Sequence, residues 1–178
     1  MKKIFFTVIF TLLLIAGVFV IYIYSGSYNI SQLTPHNAFT KWIIETTKNK
    51  SINKRLKDLH APPMTDTNMI IEGFKHYNEM CVNCHGGPGI DPGELAKGLY
   101  PNPPKFYKSQ DMPDTIEAFW IIKNGIKMTG MPAFGLTHSD QKIWATTDFL
   151  LNKMNKMSAG EYQEWIKKYS NQDADSNH

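Results

Sequence analysis

Residues 81–89 read CVNCHGGPG, and Cys81 and Cys84 are the only cysteines in the 178-residue chain. Three chemistries use such a pair. A thioredoxin-like dithiol needs a βαβ setting, whereas the flanking sequence has helical periodicity and long loops. A zinc site needs four ligands, usually from two regular pairs. No second cysteine pair exists, and His60, His76 and His138 have no partner spacing near the motif. The third chemistry is covalent haem, for which C-x-x-C-H is the attachment signature. Two thiols on one turn can each form a thioether to a haem vinyl group, and the adjacent imidazole of His85 then lies against the iron.

Electron-carrying haem of this type is commonly held by His on one side and Met on the other. Of the nine methionines, Met112, Met128 and Met131 lie downstream in or beside loops. Met131 is the best candidate, in TGMPAFG, with Gly130 before it and Pro132 after it. Glycine permits close backbone approach and proline stiffens the strap. The 46 residues from His85 to Met131 leave room to wrap a ring. Met128 is the runner-up and Met112 comes third.

Ile4–Tyr24 is an uncharged run of 21 residues. As a helix it is roughly 30 Å long, about the thickness of the bilayer hydrocarbon. Lys2 and Lys3 precede it, and no Lys or Arg follows until Lys41. The positive-inside rule then predicts a cytoplasmic N-terminus, with the rest of the chain exported. The run exceeds the length of a usual signal-peptide core, which favours an uncleaved anchor. Export suits covalent haem attachment, which occurs outside the cytoplasm in bacteria.

The net charge of +3 and the lack of a dense basic element give no reason to expect nucleic acid as a partner. Residues 35–60 read as a helix, with Thr34 as N-cap and Pro35 in the first turn. Phe39, Trp42 and Ile43 form a stripe on it. Six basic residues against Glu45 lie between Lys41 and Lys57; they could face anionic lipid headgroups or a partner subunit, but a solvated arm is the simplest expectation. Ala61-Pro62-Pro63 marks a boundary. Helices follow at about 66–80 (capped by Thr65 or Asp66), 115–125 and 139–154 (capped by Ser139), with a final amphipathic stretch that Ser158 opens as cap, Glu161 lying three residues on. Residues 86–114 are rich in Gly and Pro and read as a loop without helices of its own, ordered by something other than backbone pairing. Residues 170–178 are polar and expected to be disordered.

The set Cys81, Cys84, His85 and Met131 within GMPAFG resembles the single-haem cytochrome c family over about residues 65–157. The resemblance implies an all-α cytochrome c fold wrapped around one covalent haem c. Here it is preceded by a transmembrane helix and a helical arm. The expected division is 1–24 anchor, 25–63 linker and basic arm, 64–157 cytochrome domain, and 158–178 amphipathic helix and polar tail. The resemblance implies that Cys81 and Cys84 carry the thioethers, with His85 proximal and Met131 distal on the iron. A proline carbonyl should orient His85. Pro88, Pro92, Pro101, Pro103 and Pro104 compete for that role, with Pro88 closest in sequence. The first and last domain helices should cross, with Gly73 and Phe74 meeting the face of Trp144 and Phe149 or Leu150. Leu95, Leu99, Tyr100, Phe106, Phe119, Trp120 and Phe134 are pocket candidates.

The implied function is single-electron transfer in a bacterial respiratory chain, as a tethered carrier or a subunit of a larger complex. It is non-enzymatic and takes no small-molecule substrate. The partners expected are the membrane and a redox protein such as a terminal oxidase or quinol-oxidising complex. The location expected is the bacterial cytoplasmic membrane, with the haem domain on the periplasmic or extracytoplasmic side. The alternative is a haem enzyme or a gas or peroxide sensor with an open distal site, should Met131 not bind. A third possibility is a tethering subunit whose haem is mainly structural.

Overall fold

The computed structural model describes residues 1–64, 66–108 and 112–170. Thr65 as an alternative cap and the tail at 171–178 lie outside them. The chain divides into two compact units, Met1–Pro35 and His36–His178.

The first unit is built on helix α1, Lys2–Tyr24. None of its residues is buried in protein, and its best window has a mean hydropathy of 3.0. A helix apolar all round needs an apolar medium. Its two threonines fit that medium, since each hydroxyl donates back into the helix: Thr7 to Lys3 O at 3.0 Å and Thr11 to Thr7 O at 2.9 Å. Neither threonine hydroxyl is left unpaired against hydrocarbon. By length and composition α1 can cross a membrane.

The second unit is helical throughout, with no strand among the described residues. Its helices are α2 (Ala38–Arg55), α3 (Thr67–His76), α4 (Val82–His85), α5 (Glu94–Lys97), α6 (Thr115–Asn124), α7 (Asp140–Asp148) and α8 (Ala159–Trp165). A wide, π-type turn, Tyr77–Cys81, joins α3 to α4, and α7 runs into another, Phe149–Lys153. The starts are capped as short polar side chains dictate. Asp66, Asp114 and Ser158 accept from Asn68 N, Ile116 N and Glu161 N at 3.0, 2.9 and 3.1 Å. The arm differs from expectation: Asn37 is the N-cap of α2, accepting from Thr40 N at 2.8 Å, so Pro35 stays outside the helix. The segment 86–114 also holds more structure than expected, in α5 and a tight turn at Phe106–Lys108.

The core forms where α3 crosses α7. A Cβ on Gly73 would overlap the carbonyl carbon and oxygen of Ala145 and stand 2.9 Å from Phe149 Cβ. The missing side chain is what lets the two backbones meet. The expected crossing is present, but its contact is the Ala145 carbonyl with Phe149. Trp144 instead stacks on Phe119 of α6, with centroids 3.8 Å apart and planes 8° apart. Phe74 is fully buried and lies edge-on to Phe149, Tyr162 and Trp165, with centroids 5.3–5.5 Å away. Burying such a ring contributes about 1.5–3 kcal/mol. Two of these partners sit on α8, so the final amphipathic stretch is part of the core and not an appendage. Lys153 ties it down further, with Nζ 2.6 Å from the Glu161 carboxylate. The arm is not a free rod either: Ile52 is 3% exposed, α2 packs on α6, and His36 N donates to the Tyr100 hydroxyl at 3.2 Å.

Candidate haem site

The wide turn Tyr77–Cys81 inserts one extra residue immediately before the cysteine motif, where such bulges often mark functional positions. Cys84 and His85 follow on the single turn of α4, and both thiols are free. Tyr77, 2% exposed, closes the motif from behind by donating its hydroxyl to Gly86 O at 2.8 Å. Burial pushes the Cys81 thiol up to about 12, with Cys84 adding to the effect, so Cys81 stays a neutral thiol in the closed fold.

His85 Nδ1 lies 2.9 Å from the carbonyl of Pro104. A carbonyl can only accept, so Nδ1 carries the proton and Nε2 is left with a free lone pair. Burial holds the imidazole below its usual range, against the opposing pull of the Pro104 bond. The neutral ring with an open Nε2 is the form that binds a metal. Pro104, not the sequence-adjacent Pro88, thus supplies the orienting carbonyl. The Phe106 ring stacks on His85 at 5.0 Å and 24°. Asp91 collects Tyr107 at 3.3 Å, Lys105 at 3.7 Å and Lys108 at 3.8 Å, which ties residues 105–108 back to the loop after the motif. These contacts are solvent-exposed and fix geometry more than they add stability.

The methionine strap is closed on itself. Gly125 ends α6 at φ +65°, where a Cβ would stand 2.8 Å from both Met131 O and Pro132 C. Only a glycine brings the strap this close to the helix end. Ile126 N donates to Met131 O at 3.2 Å. The Thr129 hydroxyl accepts from Met131 N at 3.1 Å and donates to Ile126 O at 2.8 Å. Met131 is partly buried against the core, as is Met112, while Met128 is 92% exposed. Thr129→Val should remove both hydroxyl bonds, for about 1 kcal/mol each. The expected result is a lower melting temperature with the same far-ultraviolet helical signal, measured by thermal melts beside the wild type.

Among the other pocket candidates, Phe119 is core, Phe134 packs partly against it, and Leu95 is 70% exposed. The Tyr100 hydroxyl accepts from His36 N. A small cavity beside the motif is lined by His76, Met80, Cys81, Ile122, Phe134 and His138, among others. His76 and His138 meet edge to face at 5.6 Å, and His76 Nδ1 is buried with no partner among the described residues. Burial, and then Lys142, hold His76 below 6.5, against the pull of Glu79 and Glu72. The unfolded chain takes up this proton near 6.5 and the folded chain only at lower pH. Stability from this site is therefore complete above pH 6.5 and is lost as pH falls below it. His76→Gln should flatten that loss in denaturant midpoints measured on either side of pH 6.5.

A crossed helix pair, two thiols and a pre-oriented imidazole on one turn, and a closed methionine strap define a c-type cytochrome domain. The residues present fit covalent haem c: the thiols are free, and the Nε2 lone pair has no competing use. Residues 68–150 match the family described as cytochrome c oxidase, cbb3-type, subunit III. No curated protein and no solved structure matches the chain. The protein is a c-type cytochrome that carries haem c, with an N-terminal helix suited to anchoring it in a membrane.

Proposed function

We propose that this protein is a membrane-tethered carrier of single electrons, in which His85 and Met131 would hold the iron of its haem. The observation that carries the reading is the fixed tautomer of His85, whose Nδ1–H is committed to Pro104 O. Such a bond orients the ring and raises its basicity as a ligand. Bound haem supplies a one-electron Fe(III)/Fe(II) couple. Cys81 and Cys84 would hold the ring covalently. His85 would bind the iron through Nε2 and Met131 through its thioether, a soft donor that would favour the reduced state and raise the potential. With both positions filled by protein, no substrate needs to reach the iron. The anchor confines the domain near membrane enzymes and raises its effective concentration there. The matched family is named for an oxidase subunit, so a terminal oxidase is the favoured partner, with this chain as a tethered donor or a bound subunit. The host membrane is the bacterial cytoplasmic membrane, with the haem domain on its periplasmic side.

The test is the visible spectrum of air-oxidised protein. The wild type should show the weak red-edge band of a methionine thioether on ferric haem. Met131→Ala should lose it, while Met128→Ala keeps it. Met131→Ala should also lower the midpoint potential by tenths of a volt, within the roughly 0.8 V range that axial ligands control. A wild-type haem spectrum without the band would reject Met131 as the ligand and favour an open-site enzyme or sensor.

A further inference from the structure

Helix α2 buries one side and leaves the other without cover. Ile52 packs inward, and Thr40, Ser51 and Leu56 are partly buried on the same side. Outward lie Phe39 and Trp42, 68% and 61% exposed, with their rings stacked at 6.1 Å, and Ile43 beside them. Lys50 and Lys54 continue this outer face three helical turns beyond Phe39 and Ile43. Among the described residues of 36–170 the exposed large hydrophobics are Phe39, Trp42, Ile43, Ile44, Met80, Leu95, Met128 and Leu136. Half of them thus fall within two turns of one helix, and a grouped patch signals an interaction surface where scattered residues do not.

Two observations select the occupant. Lys50 and Lys54 lie on the outer face with no acid beside them, while Lys48 is partly buried on the inward-leaning side, where Glu45 pairs with Lys41 at 3.8 Å. The outer face is therefore aromatic at one end and cationic at the other, which is the composition that lies in the headgroup region of an anionic bilayer. Only residues 25–37 separate α1 from α2. Those 13 residues reach at most about 45 Å. We infer that the Phe39–Trp42–Ile43 face of α2, with Lys50 and Lys54, rests on an anionic lipid surface and so gives the haem domain a second attachment to the membrane. The rings and Ile43 enter the interface while the lysines stay at phosphate level. Because α2 also packs on α6 and buries Ile52, the contact restricts how the haem domain can turn on its tether. The inference rests on α1 being a membrane span.

The test uses full-length holoprotein in lipid nanodiscs. Both native cysteines are consumed by haem, so Ile43→Cys supplies a single thiol for a nitroxide label. In discs with phosphatidylglycerol, the ratio of oxygen to nickel-chelate accessibility at position 43 should rise severalfold over that in pure phosphatidylcholine. Adding Lys50→Glu and Lys54→Glu should abolish the rise. A label at Gly17→Cys, in open space in the middle of α1, must report bilayer depth in both lipids. If it does not, the anchor itself is wrong. If it does while position 43 stays open to the chelate in anionic discs, the inference is overturned. Protection of position 43 only on addition of a partner protein would overturn it as well.

Discussion

Gly73→Ala should destabilise the folded protein by about 3 kcal/mol or more, at the upper end of what overpacking costs. Helix propensity acts the other way, since Ala is favoured over Gly inside a helix by about 1 kcal/mol. The magnitudes decide the sign. A Cβ at this position meets the peptide carbonyl of Ala145, which cannot turn aside as a flexible side chain can. Relief requires α3 and α7 to separate, and that would loosen Phe74 from Phe149 and the α8 rings. For a domain of about 90 residues, about 3 kcal/mol corresponds to roughly 12–24 °C in melting temperature. Gly160→Ala is the control, because its nearest neighbour would be Ser158 Oγ at 3.9 Å. It should be neutral or slightly stabilising. Thermal melts of the two ferric holoproteins side by side check the pair, and equal melting temperatures would remove the close-approach role of Gly73.

Cys81→Ala combined with Cys84→Ala should abolish covalent haem, read as loss of haem stain on a denaturing gel. The structural consequence should be uneven. The α3–α7–α8 core holds itself together through buried aromatics and should keep much of its far-ultraviolet helical signal. Residues 86–105 have only α5 and one isolated bridge, Gly87–Ile90, as regular structure. A domain of about 90 residues has little spare core to order such a segment without a filler. The expected result is retained helix, loss of near-ultraviolet signal and no sharp thermal transition, a partly ordered state by its observables. A cooperative melt at the wild-type temperature would show that haem does not stabilise this fold.

Chemistry carried by neighbouring residues was legible in the sequence. The C-x-x-C-H motif places two thiols and an imidazole within five residues. The apolar run of α1 and the caps at Asp66, Ser139 and Ser158 are likewise local. Each follows from side-chain type and spacing, with no need to know what packs against it. The crossing at Gly73 was legible through the family resemblance, which named the helix pair, but not its contact atoms.

What remained open depended on groups distant in the chain. Five prolines could have oriented His85, and proximity in sequence favoured Pro88. The carbonyl that meets Nδ1 belongs to Pro104, 19 residues away, because the Asp91 contacts fold residues 105–108 back beside α4. The final amphipathic stretch looked like an appendage, yet Tyr162 and Trp165 reach Phe74 across nearly 90 residues of chain. Ile52 gave no sign in a strongly basic stretch that it would be buried. Periodicity reports that a helix has an apolar face, and composition reports its charge. Neither says which distant surface the face will meet, because that is set by the simultaneous packing of all the helices.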